Sequence, residues 1–98
     1  MHQRDNFIWI PDIVDKIWNK HRVEPEEVEE VFENRPRIFR GPKGHYAGED
    51  IYYALGQTDE GRYLFVVYIK KQQGQALILS ARDMTAKESR GLGRKRDA

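Results

Sequence analysis

Cysteine is absent from the 98 residues, which removes disulfides, thiolate metal sites and thiol nucleophiles and fits a reducing compartment. No apolar run approaches the length of a membrane span, and the opening residues lack the basic-then-apolar pattern of a secretory signal. A protein without a membrane segment, resident in the cytoplasm, is the expectation. Histidine is scarce: His2, His21 and His45 are scattered, with no two at a ligand-like spacing, so no metal site is expected. No Gly-rich phosphate loop follows a strand, and there is no nucleophile elbow, familiar DNA-reading motif or internal repeat. No cofactor is therefore expected.

What is present suits one small folded domain. Apolar residues make up 39% of the chain and charged residues 34%, a balance typical of a globular protein with a hydrated surface. So short a chain buries a modest core, which confines any binding site to the surface or a shallow groove. The net charge is only +1, but it is unevenly spread. Residues 1–60 carry 8 Lys/Arg against 13 Asp/Glu, and residues 61–98 carry 9 against 3. One basic face or tail that meets an anion is implied. The plain alternative is a solvated, flexible tail over residues 91–98, where Arg94, Lys95 and Arg96 cluster beside glycines. Arg62, Lys70, Lys71, Arg82 and Lys87 lie within the predicted domain, residues 1–90.

The patterning gives the order β-α-α-β-β-β-β-α. Phe7 to Ile10 reads as a strand closed by Pro11, which suits the first position of a helix because its missing N–H has no partner there anyway. Ile13, Val14, Ile17, Trp18 and His21 recur at helical spacing, and Lys20, His21 and Arg22 close the helix. Glu24-Pro25 opens a second helix with Val28, Val31 and Phe32 inward, and Asn34 and Pro36 stop it. Its acids, Glu26, Glu27, Glu29, Glu30 and Glu33, are assigned to solvent. Arg37 to Arg40 and Ile51 to Gly56 read as strands, separated by a loop at 41–49. Tyr63 to Ile69 is apolar enough for a central strand buried on both faces, and Ala76 to Leu79 returns through a short turn. Thr85-Ala86-Lys87-Glu88 reads as a capping box, with Gly91 and Gly93 ending the last helix after little more than a turn.

A sheet with basic residues near its last strand, a few acids and an imidazole is compatible with metal-free RNA cleavage. The RNA supplies its 2′-hydroxyl as nucleophile, and the protein supplies a base, an acid and cations for the phosphorane charge. Each candidate has a plainer reading beside it. Arg82 would grip the phosphate, or else pair with an acid of the second helix. Glu88 is a general base or merely the capping-box acid. His21 is a proton-transfer group or a packed core histidine. Arg62 belongs to a hairpin surface, and Lys20 is a helix-end charge with phosphate binding second. Tyr52, Tyr53, Tyr63 and Tyr68 mainly pack the sheet, with base stacking open to exposed ones.

Taken in order, the segments resemble the BrnT toxin family. The carriers are Trp9-Ile10-Pro11, Lys20-His21-x-Val23, Glu27 with Val31-Phe32, Gly48-Glu49, Gly56, Gly61-Arg62, and Ser80-Ala81-Arg82-x-Met84-Thr85-x-x-Glu88. The resemblance runs from about residue 7 to residue 90. It implies an α+β, RelE-like fold, with two N-terminal helices on a mainly antiparallel four- to five-stranded sheet and a short C-terminal helix. It also implies a metal-independent ribonuclease, the toxin of a type II toxin–antitoxin pair. The partners implied are RNA and a BrnA-like, ribbon-helix-helix antitoxin that contacts DNA. Residue by residue, it places Arg82, Glu88, Arg62 and His21 in the catalytic set, with Lys20, Lys70, Lys71 and Lys87 on RNA. The oligomeric state stays open between homo- and hetero-oligomer.

Several family positions differ here. Ile13 and Ile17 stand where the family often has Lys and Asn, Ile51 and Leu77 where it has Arg, and Leu92 near a terminal Tyr. Loss of cations at the phosphate weakens catalysis. These changes motivate the second reading: a catalytically degenerate relative that binds protein or RNA. Arg40 or Lys70 moving into the vacated space would favour an active enzyme, and an apolar groove the binding module. An orphan domain without a toxin role is the third.

Overall fold

Pro11 supplies the fixed φ and missing donor that a first helical position tolerates, and α1 runs from it, Pro11–His21, with Asp12 in its first turn and Lys20 and His21 in its last. The computed structural model describes residues 6–42 and 49–97, the last six as backbone. His2, His45 and the glycines at 44 and 48 lie outside the described residues. α1 ends on Arg22, a non-glycine residue in the left-handed region at φ 53°. The Arg22 N–H reaches the Trp18 carbonyl and the Val23 N–H the Ile17 carbonyl, so the last turn closes without a glycine. The Arg22 guanidinium lies 4.9 Å from the exposed Trp18 ring.

α2, Pro25–Glu33, starts the same way, and the Glu24 N–H donates to Glu27 Oε1. One of its acids departs from the solvated face expected for them. Glu29 is buried and accepts a hydrogen bond from Trp9 Nε1 at 3.0 Å. That bond meets the requirement of a buried carboxylate for a donor. The first strand, β1, is shorter than expected, only Phe7–Ile8.

Four further strands, β2 (Arg37–Arg40), β3 (Ile51–Gln57), β4 (Tyr63–Lys70) and β5 (Ala76–Asp83), complete a sheet ordered β1-β5-β4-β3-β2. Only β1 pairs in parallel; the rest form an antiparallel meander. Both helices lie on one face, α1 over β5 and α2 over β3 and β4. Ile17, Val23, Val28, Val31, Leu64, Val66 and Ile78 are fully enclosed between the layers. At Gly56 a Cβ would come within 3.2 Å of Pro36 and Val31, so glycine lets the end of α2 approach β3 closely.

Two differences from the sequence reading have physical causes. β4 is buried on one face alone: Leu64, Val66 and Tyr68 face the helices, whereas Tyr63, Phe65, Val67 and Ile69 are half-covered. Neither α1 nor α2 covers that second face, so its apolar residues are only partly enclosed. The last helix, α3 (Ala86–Asp97), continues past Gly91 and Gly93 instead of ending there. A glycine costs a helix about 1 kcal/mol and stops it only where a left-handed cap forms.

Candidate active site

A bulge decides which way Arg82 points. Ile78 pairs with Tyr68 and Ser80 with Val67, so Leu79 is an extra residue in β5. Side chains alternate along a strand, and one inserted residue exchanges the faces beyond it. Ile78 and Ala81 consequently both face the helices, while Ser80 and Arg82 face the open side. With regular alternation Arg82 would have entered the core. The expected strand ended at Leu79; β5 in fact continues to Asp83 and carries Arg82 on it.

On the open face Arg82 lies against Phe65, its cross-strand partner, with Cζ 4.2 Å from the ring centroid. Tyr53 flanks the same ring at 5.1 Å. Glu88 takes Nη1 and Nη2 through a two-pronged bond, 3.0 Å on each side, and the Asp83 carbonyl takes Nη1 at 2.9 Å. Nε–H and the second Nη2–H have no partner among the described residues. Glu88 also accepts from the Thr85 N–H, and its own N–H donates to Thr85 Oγ1, so the capping box and the ion pair share one carboxylate. The Arg82 bond holds that carboxyl below its ordinary range, helped by Thr85, and Glu88 in turn raises Arg82. The partner expected for Arg82 was an acid of the second helix; the acid is instead on α3.

It is Arg62 that reaches the second helix. Nε and Nη2 grip both oxygens of Asp83, at 2.7 and 3.1 Å, and Nη1 meets Glu27 at 3.1 Å. Nη1 also donates to the Arg22 carbonyl and Nη2 to the His21 carbonyl, at 2.8 and 2.9 Å. All five N–H groups of the guanidinium are thereby committed within the chain. This clasp ties the α1–α2 corner to β4 and β5, and it holds the Asp83 carboxyl below its usual range, with the His21 charge adding a little. His21 is half-buried beside that cluster. Because Arg82 and Asp83 are successive in a strand, the two arginine clusters lie on opposite faces at one end of the sheet.

The lysines divide by position. Lys87 is exposed on α3 next to Glu88, and Lys20 is exposed at the end of α1. Lys70 and Lys71 lie at the β4–β5 turn; Lys70 pairs with Ala76, six residues along β5 from Arg82 and so about 20 Å away. Lys71 approaches Glu49 at 3.9 Å. Among the described residues no three His, Asp or Glu side chains gather to hold a metal ion, and no helix is long and apolar enough to cross a membrane.

The family model for "Ribonuclease toxin, BrnT, of type II toxin-antitoxin system" matches residues 9–88. The chain belongs to the BrnT family. Among solved structures, the crystal structure of the Brucella abortus ribonuclease toxin BrnT superposes with a TM-score of 0.60 at 15% identity, over 81% of this chain and 95% of that one. At that identity the likeness speaks for the fold. No curated protein matches the chain in sequence. Membership implies an RNA substrate and an antitoxin partner.

The aliphatic positions 13, 17, 51 and 77 occupy two environments. Ile17 is 1% exposed in the core and Ile13 packs on it. Ile51 and Leu77 instead flank Ile69 in register across β3, β4 and β5 on the open face. They form an apolar row that neither Arg40 nor Lys70 enters. Arg40 sits over Tyr52 on the helix side and pairs with Asp50 at 2.7 Å, and Lys70 lies on that side too. Phe65 carries no sequence signal of a site: its place beneath Arg82 depends on cross-strand register, a relation no local motif carries.

Proposed function

We propose that this BrnT-family chain is a toxin that cuts RNA without a metal ion, with Arg82 at the scissile phosphate and Glu88 beside it. The carrying observation is the contrast between the two candidate arginines. Arg62 has every donor engaged, whereas Arg82 has no described partner for Nε–H and one Nη2–H, on the sheet face opposite α1 and α2. A planar fork with two such donors suits a phosphodiester and the greater charge of its phosphorane.

In this reading the 2′-oxygen bonds to phosphorus, the bond from phosphorus to the 5′-oxygen breaks, and the products are a 2′,3′-cyclic phosphate and a 5′-hydroxyl. Glu88 accepts the 2′-hydroxyl proton, and water protonates the departing oxygen. Held ionised by Arg82, Glu88 is a weak base in the free protein. An arriving phosphate draws the guanidinium to itself and adds negative charge nearby, and both changes raise the basicity of the carboxylate. Arg62 and His21 hold the end of the sheet in shape. Lys87 and Lys20, at the same end, draw RNA in electrostatically, with Lys70 and Lys71 reached by longer RNA.

The neutralising partner in this proposal is a BrnA-like, ribbon-helix-helix antitoxin, which contacts DNA for the pair in the cytoplasm. A second reading has one specific observation in its favour. Ile51 and Leu77, where the resemblance implies arginines, join Ile69 in an apolar strip, as a binding module that has lost catalysis would have. Incubating structured RNA with the purified protein in excess chelator separates the two: cleavage supports the enzyme, and intact RNA supports the module.

A further inference from the structure

The open sheet face carries a second arginine in line with the first. The register Arg37–Leu55–Phe65–Arg82 runs straight across β2, β3, β4 and β5. Neighbouring strands are about 4.8 Å apart, so the two arginine backbones stand about 14 Å from each other with an apolar floor between them. Phe39 and Tyr53, themselves paired across β2 and β3, flank that floor. Arg37 Nε is buried without a hydrogen-bond partner, and the guanidinium lies 5.7 Å from the partly exposed Phe39 ring. No carboxylate pairs with Arg37 among the described residues, unlike Arg40, Arg62 and Arg82. Nε itself is enclosed, so what Arg37 offers a ligand is a guanidinium charge that no described carboxylate neutralises, at the edge of a cleft.

Arg37 also lines a cleft of about 790 Å³ at the end of the sheet, with Arg35, Leu55, Gln57 and Asp59. The acid there is already engaged: Asp59 Oδ1 accepts from Asn34 Nδ2 at 3.0 Å. Two arginines without a described ion pair thus face one carboxylate that has a donor.

We infer that Arg37, assisted by Arg35, binds a second phosphate of the same single-stranded RNA, so that the site spans the sheet from Arg82 to the cleft with a base lying over Tyr53 between the two cations. The inference rests on the RNA-cleaving reading and extends it. An aromatic face between two cations is the kind of stacking surface that tracks single strands without reading their sequence. Arg37 makes no contact with the reacting phosphate, so its contribution is to binding and register.

The test is fluorescence anisotropy with a labelled single-stranded octanucleotide, methylated at its 2′-oxygens to prevent cleavage, across a salt series. Each phosphate contact to a single strand contributes about 0.7 to the slope of log affinity against log salt. Arg37→Gln keeps the stem over Leu55 and removes the charge. It is expected to lower the slope by about 0.7 and weaken binding several-fold, with a dinucleotide unaffected because it cannot span both arginines. Arg37→Lys is expected to retain the slope. An Arg37→Gln protein with wild-type melting, slope and affinity overturns the inference, and the RNA-cleaving reading survives if Arg82→Ala still lowers the slope. Failure of the wild-type protein to bind the octanucleotide overturns that reading, and this inference falls with it. Should Arg37→Gln fail to fold, Arg35→Ala probes the same phosphate: a smaller drop in slope is expected, and an unchanged slope overturns the inference.

Discussion

Replacing Arg62 by alanine is expected to destabilise the protein by about 3 kcal/mol without removing a group that meets RNA. The magnitude follows from the bonds lost. Asp83 is 59% exposed, so water takes over there at a cost below about 1 kcal/mol. Arg62 and Glu27 are each 27% exposed, and that pair contributes about 1 kcal/mol at partial screening. The His21 and Arg22 carbonyls, at the end of α1, lose a charged donor and add about another 1 kcal/mol together. For a domain of this size the sum lowers the melting temperature by roughly 10–25 °C. Circular dichroism melts of wild type, Arg62→Ala and Arg62→Lys measure it, with lysine restoring part of the loss. RNA cleavage assayed well below the variant's melting temperature is expected to stay within severalfold of wild type. An Arg62→Ala protein that melts like wild type yet cleaves nothing would refute the clasp and place Arg62 at the phosphate.

Two further perturbations probe the remaining structure. Glu88 and Asp83 carboxyls lie below their ordinary range in the folded state, so the stability they contribute is complete above that range and disappears as pH falls through the depressed values. Melts between about pH 6 and pH 3 should therefore show stability falling on acidification, less steeply in Glu88→Gln; equal slopes would contradict the Arg82–Glu88 bond. Ile17→Asn should cost about 3 kcal/mol or more in denaturant titration because position 17 is enclosed in the core. A neutral result would mean that α1 can turn this position to the surface.

The element order, the two proline-initiated helices and the meander were legible because their signals are local: Pro11 and Pro25, the 3–4 spacing of Ile13 and Ile17, and the turns before β4 and β5. Relations set by distant contacts were not. Glu29 reads as one more solvent-facing acid until Trp9 is seen to donate to it. Tyr63 to Ile69 reads as doubly buried because composition does not reveal that one apolar face is only half-covered. At the site, the Thr85–Glu88 capping box is a local pattern and was legible, whereas the Arg82–Glu88 pair was not: an acid of the second helix was the expected partner. The Leu79 bulge, which turns Arg82 outward, and the Arg37–Leu55–Phe65–Arg82 row depend on pairing register and leave no trace in the local sequence. Lys70 and Lys71 look close to Arg82 on the basic second half of the chain, yet the length of β5 separates them.

The most direct test of the central claim is cleavage of a structured RNA by the purified protein in excess chelator, beside an Arg82→Ala variant and a BrnT ribonuclease as positive control. Metal-free cleavage by the wild type, lost in an Arg82→Ala protein that remains folded, is the predicted result. Intact RNA with the wild type, where the control cuts, would contradict the claim and leave the open sheet face as a binding surface without catalysis.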